Sequence, residues 1–184
     1  MPETLTTGLP PFGQDPMDKF SEVLQAEDLV TQNGSVVGHK ITKLRRNQPE
    51  KPGRTLAVAA DRRVETQPSY ENNYLYLVRF RKTAGQAATP AGRHYHNFKN
   101  ERFVAAQGDF LVVLEDRASK EQVRLTIHSD ALDEGGNAIE EVVFVPAGIA
   151  HAVLPLDNGT STLLVLADHA GIQADELAYE MDVS

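Results

Sequence analysis

The chain contains no cysteine, which removes disulfides, thiolate nucleophiles and Cys-type zinc centres from consideration. It also lacks an excess of positive charge: 18 Lys and Arg against 26 Asp and Glu give a formal net charge of −8. Such a surface cannot neutralise a row of phosphates, so nucleic acid is not an expected partner. The one basic run, Lys43-Leu44-Arg45-Arg46, reads as a solvated strand end. Long apolar runs are missing too. Leu163-Leu164-Val165-Leu166-Ala167 is strand length, far short of the roughly 20 apolar residues that span a bilayer. No basic segment followed by an apolar core opens the chain, so no secretory signal is read. These absences lead to the expectation of a cytoplasmic protein with no membrane partner. What is present, 184 residues with 41% hydrophobic and 24% charged, suits one globular domain with a sizeable core.

Residues 1–14, rich in Thr, Gly and Pro, are expected to be disordered, and 15–184 to form that single domain. Asp15-Pro16 has the chemistry of a helix start. Met17, Phe20 and Leu24 then recur at helical spacing, which predicts a short amphipathic helix to about Val30. After the Asn33-Gly34 turn the pattern becomes strand-like over 35–43, 55–60, 73–81, 102–106, 109–115, 121–127, 141–145, 150–154 and 161–168. Turn signals such as Pro52-Gly53, Gly108-Asp109 and Asn158-Gly159 separate these segments. Short, regularly spaced strands without intervening helices predict an all-β antiparallel sandwich or barrel. A closing helix is expected between Ile172 and Met181.

The chemistry-bearing residues fall into two groups. Four residues separate His94-Tyr95-His96 from Glu101, and six separate Glu101 from Gly108. The second group is Pro146-Ala147-Gly148-Ile149-Ala150-His151. Residues two apart on a strand share a face, so His94 and His96 aim together while Tyr95 points away. Glu101 can return beside them on a paired strand, and His151 can close the set after its Pro-Gly corner. Imidazole and carboxylate suit a divalent ion of zinc, iron, manganese, nickel or copper. His39, His128 and His169 have no partner at ligand spacing and are expected at solvent or strand-end positions.

His-x-His-x4-Glu-x6-Gly followed by Pro-x-Gly-x-x-His resembles the two-part signature of the cupin superfamily. That resemblance implies a double-stranded β-helix, a jelly-roll-like barrel, here flanked by the short N-terminal helix. Flanking turn positions depart from the pattern at Ala88, Glu140 and Pro155. Lys99-Asn100-Glu101-Arg102-Phe103-Val104, 112–125 and 163–182 are similar to the dTDP-4-dehydrorhamnose 3,5-epimerase-like group, including sugar-nucleotide ketoisomerases and cupins of capsular polysaccharide synthesis. This likeness implies an isomerase or epimerase acting on a nucleotide-linked or related keto sugar by proton transfer next to a carbonyl. It also implies a homodimer.

Two chemistries compete for the same histidines. As a free base, His94 or His96 would abstract a proton beside the carbonyl, with Tyr76 as the acid. As metal ligands, His94, His96, Glu101 and His151 would leave two open positions in an octahedral field. The complete ligand set favours the metal. Arg79 and Arg81 share one strand face and are candidates to clamp a diphosphate. The alternative functions are a metal-dependent oxygenase on a small organic acid or diketone, and a non-catalytic barrel that binds a small ligand.

Overall fold

The structure is a computed structural model that describes residues 21–47, 55–56, 74–81, 89–136, 138–169 and 173–183. Twelve strands make up most of it: β1 (Ser21–Val30), β2 (Val36–Asn47), β3 (Thr55–Leu56), β4 (Tyr74–Arg81), β5 (Ala91–His96), β6 (Glu101–Gln107), β7 (Phe110–Glu115), β8 (Gln122–Ile127), β9 (Ile139–Val145), β10 (Ala150–Pro155), β11 (Thr160–Ala167) and β12 (Glu176–Ala178). One sheet runs β1-β2-β9-β6-β11-β4 with β3 attached to β2, and the other runs β12-β5-β10-β7-β8. Every pairing is antiparallel. The all-β sandwich expected from the strand pattern is the observed architecture.

Alternation explains where the core lies. Phe110, Val112 and Leu114 on β7 face Phe103, Val143, Leu163 and Val165 from the other sheet, all buried in one cluster. Their neighbours on the opposite face of the first sheet, Ile41, Val104, Val142 and Leu166, form a second cluster, as a period of two requires. A third cluster joins Val113 and Ala152 to Met181 and Val183, so the C-terminal segment covers the outside of the second sheet.

Two expected helices are strands or turns instead. Ser21–Val30 is β1, paired residue by residue with β2 around the Asn33-Gly34 turn. The sheet edge offered by β2 satisfies this segment's backbone groups and overrides its helical spacing. Residues 15–20 of the expected helix, and the expected disorder of 1–14, lie outside the described residues. Between Ile172 and Met181 a 3-10 turn at Gln173–Asp175 leads into β12, which pairs with β5. Among the described residues no helix is long and apolar enough to cross a membrane.

A single irregularity in β5 decides which side chains enter the barrel. Val153 pairs with Ala91 and Ala152 with Gly92, but His151 pairs with His94, so Arg93 is the extra residue of a bulge. Gly92 and Arg93 both take positive φ, 86° and 60°. Ala91 and His94 are three apart yet both line the interior, because the bulge shifts the two-residue alternation by one. Arg93 is exposed.

Gly38 on β2 allows the close approach of β9: a Cβ there would lie 2.5 Å from the Phe144 carbonyl oxygen. Gly38→Ala is therefore expected to lower unfolding stability by roughly 1–3 kcal/mol, the usual cost of overpacking. Urea denaturation checks this; an unchanged midpoint would contradict the tight β2–β9 contact.

Candidate metal and proton-transfer centre

One ligand atom from each of His94, His96, Glu101 and His151 lies within 4.8 Å of all the others. The four residues arrive from three strands. His94 and His96 stand two apart on β5 beyond the bulge, Glu101 opens β6, and His151 sits opposite His94 on β10. Ring centroids are 4.7 Å apart for His94–His96 and for His94–His151, and 5.6 Å for His96–His151. The quartet expected from spacing is thus assembled in one place.

Glu101 is the centre of the arrangement, only 2% exposed. Its Oε1 accepts the Tyr76 hydroxyl at 2.7 Å and lies 2.8 Å from the Lys99 ammonium. Its Oε2 faces His151 Nε2 at 3.2 Å and His96 Nε2 at 3.6 Å. Burial raises the Glu101 pKa, but the His151 ring and the Lys99 ammonium, both close to its oxygens, outweigh it and hold the carboxyl below its ordinary range. Burial pushes the Tyr76 phenol well above its ordinary value, and the Glu101 carboxylate adds to the shift. Tyr76 therefore stays protonated.

The imidazoles are oriented from behind. His96 Nδ1 lies 3.1 Å from the Asp175 carbonyl oxygen, and His151 Nδ1 lies 3.2 Å from that of Ile149. A carbonyl only accepts, so both Nδ1 atoms donate, and in the neutral rings both Nε2 atoms present lone pairs toward Glu101. Two acceptors then face each other across 3.2 Å at His151 and Glu101, and His96 Nε2 is buried without a hydrogen-bond partner. A cation placed between them would relieve both conflicts, and ligating histidines fixed through the opposite nitrogen are the usual pattern around metals. The donor set fits a metal ion.

His94 differs from the other two. Its Nδ1 is 3.2 Å from Glu176 Oε1, and its side chain is 18% exposed against 3% for His96 and His151. It lines a cavity of about 180 Å³ together with Tyr76, Glu101, His151 and Glu176, over apolar walls that include Phe103 and Val165. Burial, and then the charges of His151 and His96, lower its pKa from 6.5 to about 3. Burial likewise lowers that of His96.

Arg79 and Arg81 are not part of this site. They lie exposed on the same face of β4 as Leu75 and Leu77, and alternate with the cavity residues Tyr76 and Val78. The period of two that brings Tyr76 inward turns both guanidinium groups outward, which corrects their assignment as a clamp at the cavity. Tyr95 points out as expected, under Arg117 at 3.7 Å. His39, His128 and His169 pair with Asp28, Glu141 and Asp168, away from the centre.

Sequence reasoning did not find Lys99, Asp175 or Glu176 as site residues. Lys99 carried one local signal, its place in the short turn between His96 and Glu101. Asp175 and Glu176 come from more than 70 residues away and had none.

No family model matches the sequence, and no curated protein matches it either. Solved structures do. NovW, a 4-keto-6-deoxy sugar epimerase from Streptomyces spheroides, aligns over 92% of this chain and 76% of its own, with TM-score 0.63 and 14% identity. A 3,4-ketoisomerase from Helicobacter canadensis aligns over 83% of this chain and 90% of its own, with TM-score 0.53 and 14% identity. The capsular polysaccharide assembling protein CapF from Staphylococcus aureus aligns over 61% of this chain at TM-score 0.50 and 17% identity, and the match spans 30% of CapF. Identities this low establish the fold: the chain is built as a cupin-type β-sandwich. Within that fold it carries a buried His/Glu cluster that could hold a metal ion.

The lowered His94 pKa gives a pH signature. The unfolded chain binds a proton near pH 6.5 that the folded state refuses until about 3, so stability is full above 6.5 and falls as pH drops through that window. Glu101, also lowered, acts with the same sign below the ordinary carboxylate range. Denaturant midpoints of metal-free protein should therefore drop between about pH 7 and pH 5, and less so in His94→Asn. Equal drops in both proteins would contradict the burial of a neutral His94.

Proposed function

We propose that this chain is an isomerase or epimerase that moves a proton on the carbon beside the carbonyl of a keto sugar, nucleotide-linked or closely related, in a metal-holding barrel. The observation that carries the reading is the division of labour among the histidines. His96 and His151 are buried, face Glu101 and are tied from behind by backbone carbonyls, whereas His94 opens on the cavity with a carboxylate at its back. Four equivalent ligands would leave no base; this arrangement leaves one.

His96, Glu101 and His151 would hold the divalent ion, zinc, iron, manganese or nickel. Such an ion supplies Lewis-acid polarisation of a substrate oxygen. His94, neutral at physiological pH, accepts the proton from the carbon next to the carbonyl: the C–H bond breaks, an N–H bond forms at the ring, and Glu176 stabilises the imidazolium. Tyr76, kept protonated beside Glu101, supplies the proton that is returned to the sugar. Return to the opposite face of the same carbon inverts it; return to the former carbonyl carbon, with that carbon's oxygen gaining a proton and the adjacent hydroxyl losing one, moves the keto group. Apolar walls such as Phe103 and Val165 limit water at the reacting carbon. The structural likeness to a sugar epimerase and a ketoisomerase supports this substrate class.

The homodimer implied by the sequence resemblance belongs to the same reading. β4 is an end strand of the first sheet as described, and its outer face exposes Leu75 and Leu77 by 61% and 56%. Apolar strands at a sheet edge are commonly covered by a partner. Sedimentation velocity should show two chains, and a Leu75→Glu, Leu77→Glu double variant should shift to one.

The test of the reaction is exchange. Incubation with 4-keto sugars, free and nucleotide-linked, in heavy water should place deuterium at a carbon adjacent to the ketone. His94→Asn should slow this by about 10²–10⁴-fold, the usual contribution of a positioned base, while retaining bound metal. His96→Ala should lose the metal. Oxygen uptake by iron-loaded protein without deuterium incorporation would replace this reading with the oxygenase.

A further inference from the structure

We infer that Asp175 is the positioning residue that sets His96 and the turn leading to Glu101, an inference that rests on the metal reading above. His96 and Glu101 must converge although β5 ends at the first and β6 begins at the second. The intervening peptide has to be held in one conformation, and one carboxylate holds its first three residues. Asp175 Oδ1 accepts the backbone N–H of Asn97 at 2.8 Å and of Phe98 at 3.1 Å, and Oδ2 accepts that of Lys99 at 3.2 Å. The same residue's carbonyl oxygen receives His96 Nδ1–H, and its Oδ2 stands 3.8 Å from that nitrogen. Asp175 is itself 7% exposed.

The grip is independent of the strand ladder. Among the described strands β12 contributes three residues, pairing with β5 from Glu176↔His96 to Ala178↔His94. Asp175 precedes it and reaches around the end of β5 to the turn. The other end of that turn is fastened separately: Asn100 donates through its backbone and side-chain N–H groups to Asp168 and accepts the Ala147 N–H. Asp175 is therefore the contact that couples the imidazole tautomer to the loop carrying Lys99. A carboxylate accepting three backbone N–H groups leaves them unpaired when removed, and the loop and ring lose their common reference.

The experiment uses the full chain, metal-stripped, with Zn(II) titrated calorimetrically into wild type, Asp175→Ala and Asp175→Asn. Thermal melting and ¹⁵N chemical shifts of the His96 ring are recorded before metal is added. Asp175→Ala should weaken zinc binding by roughly 10–100-fold, the usual loss for a group that orients a ligand. The His96 ring should change from a pure Nδ1–H tautomer to a mixture. Asp175→Asn, which keeps one acceptor oxygen, should lose less on both readouts; it also carries the test if the alanine variant does not fold. A fall in melting temperature with unchanged zinc affinity and an unchanged His96 tautomer overturns the inference, because Asp175 would then be a turn cap and nothing more. If wild type binds no zinc or other divalent ion, the metal reading fails by itself. Asp175 is then judged on the tautomer alone, where a mixture upholds its role and a pure Nδ1–H form rejects it.

Discussion

Everything at the centre of this barrel is arranged around one buried carboxylate. A charged group at the position of Glu101 is costly unless it is paired and hydrogen-bonded. The structure meets that demand asymmetrically: one oxygen takes a phenol and an ammonium, the other takes two imidazole edges. The first oxygen is chemically saturated and the second is not. This difference gives the site its direction, with Lys99 and Tyr76 on the closed side and the unsatisfied His96 nitrogen on the other. A symmetric, fully paired glutamate would be a structural salt bridge and nothing else.

Strand geometry turns this electrostatic requirement into chemistry. The histidines separate into two kinds because of what lies behind each ring. Backbone carbonyls stand behind His96 and His151, whereas a carboxylate, that of Glu176, stands behind His94 and would stabilise its protonated form in the proposed reaction. The difference in exposure points the same way. Burial disfavours charge on His94 and His96, which leaves the cluster able to hold a metal ion.

The sequence made the quartet legible because its information is local. His94 and His96 share a strand face, Glu101 follows a short turn, and His151 follows a Pro-Gly corner; none of these inferences needs the tertiary fold. The same period of two placed Tyr95 outward and the β-sandwich in outline. Errors arose where pairing decides the conformation. Ser21–Val30 reads as helix in isolation, and only the adjoining β2 makes it a strand. Residues 173–178 have helix-like composition but lie against the edge of β5, while Met181 and Val183 fill an apolar surface on the sheet. Arg79 and Arg81 were correctly placed on one face, but the sequence could not say which. Asp175 and Glu176 were illegible because their partners lie some 80 residues earlier.

The extra residue in β5 has a consequence for the interior. Parity along a strand carries no energetic marker of its own: were Arg93 drawn into the regular ladder instead of bulging out of it, the imidazoles would exchange places with Tyr95 although no residue had changed. The pairing of one residue thus decides whether the interior holds imidazoles or a phenol, with composition, strand length and hydrophobic content untouched. Two sandwiches of one composition can therefore present different side chains to their interiors, a difference held in a bulge rather than in the residues themselves.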